Sequence, residues 1–170
     1  MHAHYICMKG QVNKRHAGDQ LALIVEDEVL IAMDIENVLV AEGFTCVLAM
    51  SPLQVEAMPI DDLTVAVVDL RLRECASGRS VIRSLRERVP HLPVVVVTGF
   101  SFSSPEADLR GLGGPTERLE KPVAPGDLSQ AVWAVIDRRR TGTPPFPRRR
   151  REDALTASPW PPAPSASPPR

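Results

Sequence analysis

Four short apolar runs punctuate this chain: LALIV (21–25), FTCVLAM (44–50), LTVAVV (63–68) and PVVVV (93–97). They are too short for helices and too continuous for strands with one wet face, which alternate apolar and polar residues. Strands buried on both faces read this way. A fifth run, TERLE (116–120), is strand-like but more polar. Between these runs the period changes. Val29, Leu30, Ile31, Met33, Ile35, Val38, Leu39 and Val40 recur at helical spacing, and Gly43 supplies the stop. Ser51-Pro52 opens a short helix through Met58, with Ser as N-cap and Pro in the first turn. Val81, Ile82, Leu85 and Val89 form a helical face ending at Pro90, and Leu128, Val132, Val135 and Ile136 form another between Pro125 and about Arg138. Pro105 to about Gly111 predicts only a weak helix, because the stretch around it is rich in Ser and Gly.

Strand and helix therefore alternate five times. That rhythm calls for parallel strands joined by right-handed crossovers, an α/β fold of three layers around a doubly wound five-stranded sheet. The flavodoxin-like order 2-1-3-4-5 is the natural arrangement, with its switch point beside strands one and three.

The ends of the chain read differently. Residues 1–18 are polar and without periodicity, a flexible leader whose His2 and His4 lack further metal-ligand partners. The expected folded domain spans 19–138. Residues 139–170 are dense in Pro, Ser, Ala and Arg, which predicts a disordered tail with no core of its own. Although the whole chain carries a formal net charge of −1, residues 138–170 hold eight Arg against Glu152 and Asp153, leaving −7 for residues 1–137. An acidic domain argues against specific nucleic-acid binding through a basic face. Cys7, Cys46 and Cys75 form no CxxC pair, so neither a disulfide frame nor a zinc site is expected. No run approaches a membrane span, and the chain reads as soluble and cytoplasmic.

Chemistry collects at the carboxyl ends of the strands in such a sheet. Glu26 and Asp27 follow the first strand, Asp69 the third, Thr98-Gly99 the fourth and Lys121-Pro122 the fifth. Asp69 is a candidate nucleophile toward phosphorus, forming an aspartyl phosphate. Because the incoming group is anionic, a bound Mg²⁺ is expected, with Asp27 and Asp69 as direct ligands and Glu26 acting through water. Lys121 supplies a second positive charge by pairing with Asp69 at rest. Thr98 offers a hydroxyl to a phosphoryl oxygen, and Gly99 leaves the mouth of the site open.

These segments, LIVEDE, VVDLRL with Gly78 nine residues beyond Asp69, VVVVTGF and LEKPV, resemble the receiver domains of two-component response regulators over about Gln20 to Arg138. The resemblance implies a phosphoacceptor, Asp69, fed by a sensor histidine kinase or histidine phosphotransfer protein in a phosphorelay. It implies Mg²⁺ at Glu26, Asp27, Asp69 and the backbone carbonyl of Arg71, Thr98 and Lys121 as switch residues, and a cis bond before Pro122. It also implies a signalling domain that is not an enzyme beyond its own phosphorylation and dephosphorylation, and an unidentified downstream protein. One position departs from the pattern. Three residues before the lysine, where receivers commonly place Tyr or Phe, stands Arg118, and the nearest aromatic is Phe100. This puts the usual threonine–aromatic switch in question and makes Phe100 and Arg118 candidate switch residues.

Two rival readings remain. A receiver-like module could bind partners without phosphoryl chemistry. A phosphatase with an aspartyl nucleophile would need a second Asp two residues after Asp69 as general acid, where Arg71 stands.

Overall fold

The apolar runs do become the buried strands of one sheet. In a computed structural model that describes residues 20–73, 77–101 and 104–142, these are β1 (Gln20–Val25), β2 (Phe44–Ala49), β3 (Leu63–Val68), β4 (Val94–Thr98) and β5 (Thr116–Glu120). All neighbouring pairs are parallel, in the order β2-β1-β3-β4-β5. The expected fold class and strand order are the observed ones.

Alternate residues of each strand serve opposite faces, so each run must be apolar throughout. Leu23 and Val25 of β1 pack toward α2 (Pro52–Ala57) and α3 (Gly78–Arg88), meeting Val55, Ile82 and Leu85. Ala22 and Ile24 pack toward α1 (Val29–Ala41) and α4 (Pro125–Thr141), meeting Ile35, Leu39 and Val132. Each fully buried aliphatic side chain of this kind stabilises by about 1.5–3 kcal/mol. A bulge in the β1–β3 pairing skips Thr64, whose hydroxyl accepts the Leu21 N–H at 3.3 Å.

Three local expectations need correction. Ser51 stands at the N-cap of α2, yet its side chain makes no cap bond. Gln54 reaches back instead and accepts the Met50 N–H at 2.6 Å, tying the residue before the cap to the first turn. The last helix runs to Thr141, past Arg138, and stops where Gly142 turns left-handed at φ 65°.

The largest difference lies between β4 and β5. The helix expected from Pro105 to Gly111 is a single 3₁₀ turn at Pro105–Ala107. Beyond that turn the chain forms an irregular loop with Gly111, Gly113 and Gly114 all at positive φ. Arg86 of α3 holds it. Its guanidinium donates to the carbonyls of Leu92, Leu112, Gly113 and Pro115 and to the Thr116 hydroxyl. Burial pulls this guanidinium down to about 10. Gly114 is needed for that fit, since a Cβ there would sit 2.7 Å from Arg86 Nε.

The leader 1–18 and nearly all of the tail 139–170 lie outside the described residues, as do Cys7 and Cys75. Cys46 is only half-buried on edge strand β2, and burial pushes its thiol up to about 11. Among the described residues no helix is long and apolar enough to cross a membrane.

Candidate phosphoacceptor and metal site

The β1–β3 ladder continues past both strands, with Asp69 N–H bonded to the Val25 carbonyl at 2.9 Å, and so brings Glu26, Asp27 and Asp69 to one edge. One oxygen from each carboxylate lies within 4.8 Å of the others. Glu26 is 1% exposed and Asp69 4%. Carboxylates this close and this buried require compensating charge.

Lys121 provides it. Its Nζ lies 2.7 Å from Asp69 Oδ2 and 2.8 Å from Glu26 Oε2. The sequence predicts a pairing of Lys121 with Asp69 alone; the structure adds Glu26, whose other oxygen accepts the Glu28 N–H at 3.3 Å. Lys121 is set in place by its own N–H, bonded to the Thr98 carbonyl at 2.9 Å, and is followed by the expected cis Lys121–Pro122 bond. Burial raises the Glu26 carboxyl, and the neighbouring ammonium only partly offsets this. Burial works against the charged form of Lys121 too, but hydrogen bonds to Asp69 and Glu26 outweigh it and raise its pKa. The lysine therefore stays cationic.

The second oxygen of Asp69, Oδ1, accepts the Arg71 N–H at 2.9 Å. Gly78 packs against the same backbone: a Cβ on it would fall 2.0 Å from the Asp69 carbonyl oxygen. Its own N–H bonds the Leu70 carbonyl at 3.1 Å. The glycine lets the start of α3 close on the loop after Asp69.

The donor set fits a hard divalent cation. It is all oxygen, and the cluster contains no Cys or His to favour zinc. The sequence does not predict one further contact. Arg73 Nε lies 2.9 Å from Asp27 Oδ2, with the arginine side chain 75% exposed. LRLRE after Asp69 carries the only sequence signal for it, two arginines beside an acidic pocket.

Thr98 ends β4 fully buried, and its Oγ1 accepts the Phe100 N–H at 3.3 Å. Gly99 is exposed, and a Cβ there would meet nothing within 4 Å. No close contact requires glycine at this position. Phe100 packs half-buried on the α2–α3 core, with the Arg71 guanidinium 5.2 Å from its ring centroid. Arg118 is half-buried on β5 and donates from Nη2 to the Phe100 carbonyl at 2.8 Å.

Comparison with known proteins agrees with this geometry. The family model of the response regulator receiver domain matches residues 22–133, and the chain belongs to that family of signalling domains. The cell cycle response regulator CtrA of Brucella ovis is 28% identical over 120 residues, which cover 69% of this chain and 50% of that protein. The chain thus spans about half the length of the curated relatives it matches. Among solved structures, a CheY-like receiver domain protein from Methanospirillum hungatei superposes with TM-score 0.62 at 22% identity, covering 73% of this chain and 98% of the other. A receiver domain from Methylobacillus flagellatus is 28% identical with TM-score 0.57, covering 69% and 98%. The receiver domain of a sensor histidine kinase from Pseudomonas aeruginosa, solved with magnesium in its active-site cleft, has TM-score 0.61 at 23% identity, covering 70% and 98%.

Proposed function

We propose that this protein is a single-domain response regulator that accepts a phosphoryl group on Asp69 from a phosphohistidine of a sensor kinase or phosphotransfer protein. A carboxylate oxygen of Asp69 attacks phosphorus, the P–N bond breaks, and its electron pair stays on the departing imidazole. The observation that carries this reading is Lys121 bridging Glu26 and Asp69. One ammonium neutralises the acceptor at rest and stands ready for the added phosphoryl oxygens. Thr98 donates its hydroxyl proton to one of those oxygens, and Gly99 leaves the approach open.

Glu26, Asp27, Asp69 and the Arg71 carbonyl would hold Mg²⁺, which supplies the charge that lets an anionic group approach a carboxylate. Support comes from the oxygen-only cluster and from the magnesium seen in the Pseudomonas aeruginosa receiver cleft. The donor protein docks on α1, the helix that starts at the acidic rim. That helix exposes Leu30 (76%), Met33 and Val29 to solvent. Beside it lies a cavity of about 800 Å³ between α1 and α4 that reaches Lys121. In this reading output passes through a binding surface of the receiver to an unidentified downstream protein.

The test is incubation with a small-molecule phosphodonor and Mg²⁺, followed by phosphate-affinity electrophoresis. A retarded band that disappears in Asp69→Asn is expected. A band unchanged in that variant removes Asp69 from the role. No band in the wild type, with no saturable response to Mg²⁺, supports a phosphorylation-independent interaction module.

A further inference from the structure

Phe100 is tied to Asp69 through Arg71 and to the end of β4 through Thr98. Asp69 Oδ1 holds the Arg71 N–H, and the Arg71 guanidinium lies over the Phe100 ring. Thr98, the hydroxyl donor of the proposed chemistry, accepts the Phe100 N–H through its Oγ1. From the other side, the Phe100 carbonyl is bound by Arg118, which sits in the middle of β5 opposite Val96 of β4. A continuous set of contacts therefore runs from Asp69 through the loop after β4 to the edge strand.

We propose that Arg118 is a positioning residue that carries the state of Asp69 from the loop after β4 into the middle of β5 through its bond to the Phe100 carbonyl, separately from the Lys121 contact beyond the strand's end. This rests on Asp69 being the phosphoacceptor. A phosphoryl group on Asp69 acts on both tethers of Phe100 at once. Its negative charge draws the Arg71 guanidinium away from the ring face, since an anion binds a cation more strongly than an aromatic quadrupole does. It also accepts a hydrogen bond from the Thr98 hydroxyl, turning that group toward the acceptor and lengthening a bond that is already long at 3.3 Å. Phe100 then shifts on its remaining contacts, and its carbonyl leaves the position Arg118 needs. A neutral carbonyl is a weaker partner for a guanidinium than a carboxylate, so this bond can exchange at low cost. That is the requirement for an element that redistributes between two arrangements.

The test uses the full chain labelled with ¹⁵N, with amide spectra recorded before and after Mg²⁺ and beryllofluoride, an analogue of a bound phosphoryl group. In the wild type, signals at 69–71, 98–100 and 116–120 are expected to shift together. In Arg118→Met the shifts at 69–71 persist, as do those beside Lys121 at the end of β5, and those at 116–118 are lost. Arg118→Lys, which keeps a donor, restores them in part. If the methionine variant does not fold, Arg118→Gln, with an amide too short for the same reach, carries the same expectation. Undiminished shifts at 116–118 in the folded Met or Gln variant overturn the assignment, as does a wild type that responds at 69–71 but not at 116–118. A wild type silent even at 69–71 overturns the Asp69 reading as well.

Discussion

The two sides of the sheet's carboxyl edge are built on different physics. Around β1 and β3, three carboxylates lie together, two of them sharing the Lys121 ammonium and the third pairing with the exposed Arg73, an arrangement short of buried positive charge. Around β4 and β5, arginines bind neutral carbonyls: Arg86 holds the loop before β5, and Arg118 holds Phe100. Surplus carboxylate makes the first region receptive to cations, and its partners can exchange when one arrives. Guanidinium forks on backbone oxygens make the second region ordered without a helix, because one side chain satisfies several carbonyls that a helix would otherwise have paired. The acid pocket and the ordered loop thus rest on different kinds of partner.

That separation can be broken experimentally. The largest effect is expected for Arg86→Met, which strands several carbonyls and costs on the order of 3 kcal/mol of stability by urea denaturation. If the two regions are independent, the folded fraction still accepts phosphate on Asp69. Loss of acceptance in fully folded protein would show that the loop also shapes the acid pocket.

Next in size is a pair of glycines. Gly78→Ala drives a Cβ into the Asp69 carbonyl oxygen and is expected to cost about 1–3 kcal/mol, with weaker Mg²⁺ binding in calorimetric titration. Gly99→Ala meets open space and is expected to change stability by less than about 0.5 kcal/mol. Similar losses at both positions would contradict the close packing assigned to Gly78 and the open space assigned to Gly99.

A smaller effect depends on pH. Burial raises Glu26 above its ordinary value of 4.5, so the folded state binds a proton the unfolded state has released. Metal-free stability should therefore fall as pH rises from about that ordinary value through the raised one, and stay lower above it. Glu26→Gln should remove this decline in a series of melting curves. Lys121 adds a second decline at the alkaline end. Its contribution is full below 10.5 and is lost as pH climbs through the raised value. A metal-free wild type whose stability rises through the acid window would contradict the Glu26 assignment.

The smallest change is expected at Arg73. This exposed guanidinium competes with a metal for Asp27, and exposed pairs contribute about 0.2–1 kcal/mol. Arg73→Ala should accordingly bind Mg²⁺ about two- to fivefold more tightly at low salt, with the gain shrinking as salt is added. Weaker binding would mean that Arg73 helps to organise Asp27.

The legibility of the sequence follows the same division. Strands buried on both faces leave a continuous apolar signature, so the sheet and its order can be read from LALIV, LTVAVV and PVVVV. The positions of Glu26, Asp27, Asp69, Thr98 and Lys121 follow from those strand ends. The partners of long side chains are not legible. Arg86 reads as part of the polar face of an amphipathic helix, and nothing local says that its guanidinium crosses to residues 112–116. The Gly-Leu-Gly-Gly stretch at 111–114 does signal a break, and the fully irregular loop is a stronger break than the weak helix expected from it. Lys121 reaching Glu26 as well as Asp69, and Arg73 reaching Asp27, are likewise three-dimensional facts set by side-chain reach.

The central claim, that Asp69 becomes an acyl phosphate beside Lys121, can be tested by trapping the bond. Borohydride reduces an aspartyl phosphate to homoserine, which peptide mass mapping places on a single residue. After incubation with phosphodonor and Mg²⁺, homoserine at position 69 is predicted, with strong loss in Lys121→Met. Homoserine at another carboxylate, or none in protein that carries the label, would contradict the account.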